Sequence, residues 1–217
     1  MNAGAAPPQA RLTTPEQVLD RASELEAKLA SEQGDFAEQA RQALANRKRM
    51  LRQHVGLQPA AGVPGGPCGW THGDFQFRNQ LCAQGCVVAV LDWDRIGVRP
   101  YVEEVARTEQ VQFSTDGCLA LAHVGAFTTG YRKWVSLDAD SLADGARRLW
   151  WKRLTDFWQL EFYLDRLKAE FADMFLADEA LLCWWTQRLD QVEAASLRPL
   201  AAGQETGSNE LPAGTCA

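Results

Sequence analysis

The chain has 217 residues, 46% of them hydrophobic and 23% charged, with a formal net charge of −6. A chain of this length buries a core without disulfides or metals, and its acidic balance excludes the basic footprint needed to grip a nucleic-acid backbone. No run approaches the roughly 18 apolar residues of a spanning helix and MNAGAAPPQAR has no signal-peptide pattern, so no membrane contact and a cytoplasmic location are expected.

In chain order, residues 1–13 and 201–217 are rich in Ala, Pro, Gly and small polar residues and are expected to be flexible ends around one domain, 14–200. Thr14, Pro15 and Gln17 read as an N-cap, a first-turn proline and a capping-box partner, with Val18, Ala22, Leu25 and Leu29 on one face until Gly34. Asp35 and Glu38 read as a second capping box. Ala40, Leu44, Arg47, Leu51 and Val55 continue a stripe to Gly56, opposite a basic face of Arg41, Lys48, Arg49 and Arg52. Pro59 to Pro67 is a loop. Leu81-Cys82-Ala83 and Cys86 to Leu91 read as two short strands around a Gln84-Gly85 turn. Helical patterns follow over 101–113, 118–134, 141–168 and 178–197, broken at Asp116-Gly117 and Leu137-Asp138. The fold class is therefore α+β, mostly helical. Six cysteines without paired spacing and three scattered histidines point to free thiols that behave as small hydrophobes, and away from zinc.

The chemistry concentrates in THGDFQFRNQL (71–81) and VLDWD (90–94). With Gln84-Gly85 as the turn, Asn79 should lie opposite Val90 and Phe77 opposite Asp92, which gathers Asp74, Asn79 and Asp92 at the open end. Two carboxylates and an amide oxygen suit Mg2+, which takes few protein ligands and fills its shell with water and substrate phosphates. Phosphoryl transfer needs such a metal and a carboxylate to accept the proton of the attacking hydroxyl. Asp74 suits the second task and Asp92 the first.

His72-Gly73-Asp74 with Asn79, then Leu91-Asp92-Trp93-Asp94, resembles the catalytic and metal-binding segments of the aminoglycoside phosphotransferase and choline kinase family, whose fold is protein-kinase-like. The likeness runs from about Trp70 to Ala106, through Pro100 and Glu103-Glu104-Val105-Ala106. It implies that 14–200 is a kinase-like carboxy-terminal lobe, with catalytic loop and metal segment at 70–106 and a helical substrate region at 118–197. It further implies Asp74 as catalytic base, Asn79 and Asp92 as magnesium ligands, His72 as a structural brace of the loop, and ATP or another triphosphate with Mg2+ as cofactors. Asp94 either touches a second ion or, the preferred reading, pairs at the surface with Arg95 or Arg99. Arg78 either contacts phosphate or bridges to Asp94 or Glu103.

The family's amino-terminal lobe, with a glycine-rich loop and a strand lysine over the phosphates, has no counterpart in the sequence. None of the five lysines sits on a β-patterned run, and the glycines of AAGVPGGP lack a P-loop's lysine and helix. The expectation is a small-molecule kinase that phosphorylates a hydroxyl of an aminoglycoside or choline-like amino alcohol. Its nucleotide-clamping lobe would come from a longer gene product or a partner, and the chain alone would be impaired in turnover. The alternative is a truncated, non-catalytic binding or regulatory module. Within Leu149 to Leu167, Trp150, Leu154, Phe157 and Phe162 follow core spacing, while Asp156, Glu161 and Asp165 are the acids that a cationic acceptor could meet.

Overall fold

The structure, a computed structural model, describes residues 12–62, 64–166 and 168–197. Apart from Leu12 and Thr13, the two ends expected to be flexible lie outside the described residues. The described chain is a mostly helical α+β fold with three small antiparallel sheets. None of its helices is long and apolar enough to cross a membrane.

Helix α1 (Pro15–Leu29) starts as its sequence dictates: Thr14 accepts from the Gln17 N–H and the Gln17 side chain accepts from the Thr14 N–H. Helix α2 (Asp35–His54) does not begin with a capping box. Gly34, at φ +99°, takes the cap position, Asp35 is the first helical residue, and the Glu38 carboxylate is spent on Arg41 at 2.9 Å. The stripe Ala40, Leu44, Arg47 and Leu51 is buried, whereas Val55 falls in a 3-10 turn and faces solvent.

Helix α3 (Tyr101–Phe113) has the expected bounds; α4 (Leu121–Tyr131) is shorter, because Ser114–Thr115 (β5) and Cys118–Leu119 (β6) form a hairpin around Asp116-Gly117. The helix expected at 141–168 is two, α5 (Ala139–Thr155) and α6 (Trp158–Arg166). Asp156 is extended there, its carboxylate accepts from the Trp158 N–H at 3.1 Å, and Arg47 donates to its carbonyl. The pattern at 178–197 is also two, α7 (Ala169–Thr186) and α8 (Leu189–Ala195). Helix α7 is apolar on most faces, so periodicity does not mark its start.

One core joins α1 and α2 to α5–α8 through Leu25, Leu44, Trp150, Trp151, Phe175 and Trp185. A smaller one, Val102, Val105, Leu137 and Leu142, seats α3. Helices α3 and α5 pack so closely that a Cβ on Gly145 would meet Val102 at 2.9 Å. The five described cysteines are free as expected, while Cys216 lies outside the described residues; Cys68, Cys82 and Cys86 are exposed and do not pack as small hydrophobes.

Candidate active site

Two antiparallel pairs are nested. The inner hairpin joins β2 (Gln80–Ala83) to β3 (Cys86–Val90), and Gln84 and Gly85 both take positive φ, as a primed two-residue turn requires. Outside it, β1 (Cys68–Thr71) pairs with β4 (Gly97–Pro100), Thr71 opposite Gly97. The segments between the two ladders, 72–79 and 91–96, therefore face one another and carry the whole motif.

The inner register differs by one from the expected one near the motif. Leu81 pairs with Ala89 but Cys82 with Val87, so Val88 is an extra residue on the return strand. Gln80, and not Asn79, is opposite Val90; Asn79 instead accepts from the Leu91 N–H at 2.8 Å, one residue before Asp92.

His72 is buried and ties the two segments together: its Nε2 bonds the Leu91 carbonyl at 2.8 Å and its Nδ1 accepts from the Asp74 N–H at 3.3 Å. Those partners select the Nε2–H tautomer. Gly73 has φ +81°, and a Cβ there would stand 2.4 Å from the Arg95 carbonyl, so only glycine fits. Asn79 donates to the Asp74 carbonyl at 2.9 Å and to its carboxylate at 3.4 Å.

Helix α3 holds the first segment from below. Glu104 accepts from the Gly73 N–H at 2.7 Å, Arg107 pairs with Asp74 Oδ1 at 2.5 Å, Thr108 donates to the Phe75 carbonyl at 3.3 Å, and Gln112 accepts from the Phe77 N–H at 2.9 Å. Burial pushes the Asp74 carboxyl up, but the hydrogen bond and charge of Arg107, helped by Gln76 and Arg95, bring it below the usual carboxylate range.

The sequence profile of the phosphotransferase enzyme family matches residues 2–134. The chain belongs to that family. The phosphotransferase match runs beyond the motif to take in α1, α2 and α4 as well as α3, and it makes this a transferase-type chain. No curated protein and no solved structure matches it.

The phosphotransferase motif fits a hard cation of low protein-ligand demand. Among the described residues, Asn79 spends its N–H groups on Asp74 and leaves Oδ1 unclaimed, while the Asp92 carboxylate is exposed with no hydrogen bond or ion pair. Among the described residues no three His, Cys, Asp or Glu cluster as for a protein-only metal cage, and Mg2+ needs none, since phosphates and water complete its shell. Asp92 is also left-handed, at φ 59°. The other two non-glycine residues of this kind, Gln84 and Asp116, each precede a glycine in a tight hairpin turn; Asp92 has no such excuse.

Two lesser expectations need correcting. Asp94 is exposed and pairs with neither Arg95 nor Arg99; the Arg99 guanidinium is taken by the Thr71 hydroxyl and the Arg95 carbonyl, at 3.1 and 2.8 Å. Arg78 bridges to neither Asp94 nor Glu103, and its guanidinium lies over the Phe77 ring at 5.5 Å. Sequence reasoning missed Glu104, Arg107, Thr108 and Gln112, although their spacing is a polar helical stripe beside the apolar one of Val102, Val105 and Ala106.

Proposed function

We propose that this phosphotransferase-family chain is the catalytic part of a cytoplasmic, Mg2+-dependent kinase for a hydroxyl group of a small molecule. The observation that carries the reading is the unclaimed Asn79 Oδ1, on a residue whose carbonyl bonds Leu91, next to the unpartnered, left-handed Asp92. Asn79 and Asp92 would hold the metal. Bound Mg2+ and ATP supply the transferable phosphoryl group and neutralise its oxygens.

Everything else falls to the chain. Asp74 is aimed by three donors to its carboxylate, the Arg107 guanidinium and the Gln76 and Asn79 amides, and by its own backbone N–H, which donates to the His72 ring; it accepts the proton of the acceptor hydroxyl. Arg78, without an ion pair among the described residues, is available to a phosphate. Trp70, Phe77, Val88 and Trp93 stand exposed along the strands and segments of the motif, Trp70 by 70% and Val88 by 62%. Such an apolar surface suits a nucleotide-clamping lobe, from a longer gene product or a partner, that covers it.

A second reading, a non-catalytic binding module, draws support from the Arg107–Asp74 ion pair, which makes the carboxylate a weaker base. Mg-ATP decides between them. The kinase reading expects a raised melting temperature that disappears in Asp92→Ala; no effect of Mg-ATP on the parent chain selects the module.

A further inference from the structure

A cavity of about 570 Å³ lies beside the motif, between α3 and α5, with Thr71 and Gly73 at its edge. Its size is that of an ordinary small-molecule site. Although the chain carries a net charge of −6, five cationic side chains line this cavity (Arg95, Arg99, Arg107, Arg148 and Lys152) against three acids (Glu103, Glu104 and Asp156).

The charges are not all spent. Arg99 serves Thr71 and the Arg95 carbonyl, Arg107 serves Asp74, and Arg148 serves Asp144 and the Gly62 carbonyl. The side chains of Arg95 and Lys152 have no hydrogen bond or ion pair among the described residues. On the acidic side, Glu104 is held by the Gly73 N–H and Asp156 by the Trp158 N–H. Glu103 has no hydrogen bond or ion pair among the described residues, and burial raises its carboxyl against the opposing charges of Arg99, Arg148 and Lys152.

Of the three acids that a cationic acceptor could meet, only Asp156 lines the cavity. Glu161 and Asp165 do not line the cavity; they pair with Arg21 and Lys28 of α1, at 2.7 and 3.1 Å. A choline-like or amino-sugar acceptor would enter a site whose lining cations outnumber its acids. An anion would meet two cations that no hydrogen bond or ion pair among the described residues holds, Arg95 and Lys152, and three more that are anchored in place.

We propose that the acceptor bound in this cavity is an anionic hydroxylated molecule, a sugar acid or sugar phosphate, with its carboxylate or phosphate on Arg95 and Lys152. Arg107, which both lines the cavity and holds Asp74, links the acceptor's hydroxyl end to the base. This rests on the phosphotransferase reading for the meaning of "acceptor", but not for the charge of the ligand.

The test is ligand-observed NMR titration of the full chain with gluconate, gluconate 6-phosphate and glucosamine, which share a six-carbon frame and differ in charge. Gluconate 6-phosphate and gluconate are expected to bind and glucosamine not to; gluconate binding shows that a carboxylate suffices, and tighter gluconate 6-phosphate binding shows that the added phosphate contributes. Lys152→Gln and Arg95→Gln should each weaken the anion several-fold, and Arg95→Glu with Lys152→Glu by roughly tenfold or more, at unchanged melting temperature because both residues are at the surface. Glucosamine binding as tightly as the anions, no anion binding at all, or anion binding untouched in the single variants overturns the proposal. So does displacement of gluconate 6-phosphate by Mg-ATP, which would make the cavity a nucleotide-phosphate site. Anion binding without any Mg-ATP effect on melting counts against the kinase reading alone; the reverse counts against the anionic acceptor alone.

Discussion

Asp74 is pulled two ways, upward by its own burial, the largest single cause, and downward by Arg107 with Gln76 and Arg95, which together prevail. Replacing Arg107 with Met removes the main downward pull while burial stays. The Asp74 carboxyl should then titrate at higher pH, as followed by carbon NMR of that side chain. The sign for stability follows from linkage. A depressed carboxyl stabilises the fold fully above the ordinary carboxylate range and loses that contribution as the pH falls through the depressed value. Arg107→Met should therefore flatten the acid side of the melting-temperature profile. The sequence marks Asp74 by its motif, but Arg107 lies 33 positions away and nothing local connects them.

At the scale of elements, α3 is the bed on which the first motif segment rests. Its residues Glu104, Arg107, Thr108 and Gln112 meet successive parts of residues 73–77. Glu104→Ala leaves the Gly73 N–H without its acceptor. It should cost about 1–3 kcal/mol in denaturant unfolding, and hydrogen exchange at the Gly73 amide should quicken more than at amides of α1. The start of α1, the bounds of α3, the loop at Pro59–Pro67 and the Gln84-Gly85 turn are readable in sequence because each depends on neighbours within a few residues: a cap, a proline, a glycine at positive φ. The Val88 bulge, the break at Asp156 and the start of α7 are not. Arg47, more than a hundred residues earlier, holds the Asp156 carbonyl, and α7 is apolar on too many faces to show a period.

At the scale of the molecule, two buried ionisable groups clamp helices together. Arg47 of α2 pairs with Glu179 of α7, donates to the Asp156 carbonyl and lies 4.8 Å from the Phe157 ring centre, almost wholly out of solvent. Arg47→Met strands Glu179 and should destabilise by about 3–5 kcal/mol. Adding Glu179→Leu should restore much of that loss in denaturant midpoints, since the stranded charge is gone. Glu109 of α3 bonds Thr128 of α4 and Ser196 after α8 and is pushed up to about 7 by burial, against the two hydroxyls. A raised carboxyl contributes stability that is full below its ordinary value and lost as the pH rises through the folded one. Unfolding free energy should thus fall by on the order of 3 kcal/mol from pH 4 to pH 8 on account of Glu109, and Glu109→Gln should remove that part of the slope.

The sequence by itself determined the helical character, the first cap, the turn and the family's motif. These are short-range or compositional, and two strands joined by a two-residue turn must bring 79 and 91 together within one residue of register. Only the tertiary structure decided which charges meet. Arg107 on Asp74, Glu104 on Gly73, Arg47 on Glu179 and the loss of Glu161 and Asp165 to α1 all depend on how helices are oriented over the core. That orientation follows from side-chain packing between elements distant in sequence, as where Gly145 lets α5 approach Val102. The same packing opened a cationic cavity in an acidic chain.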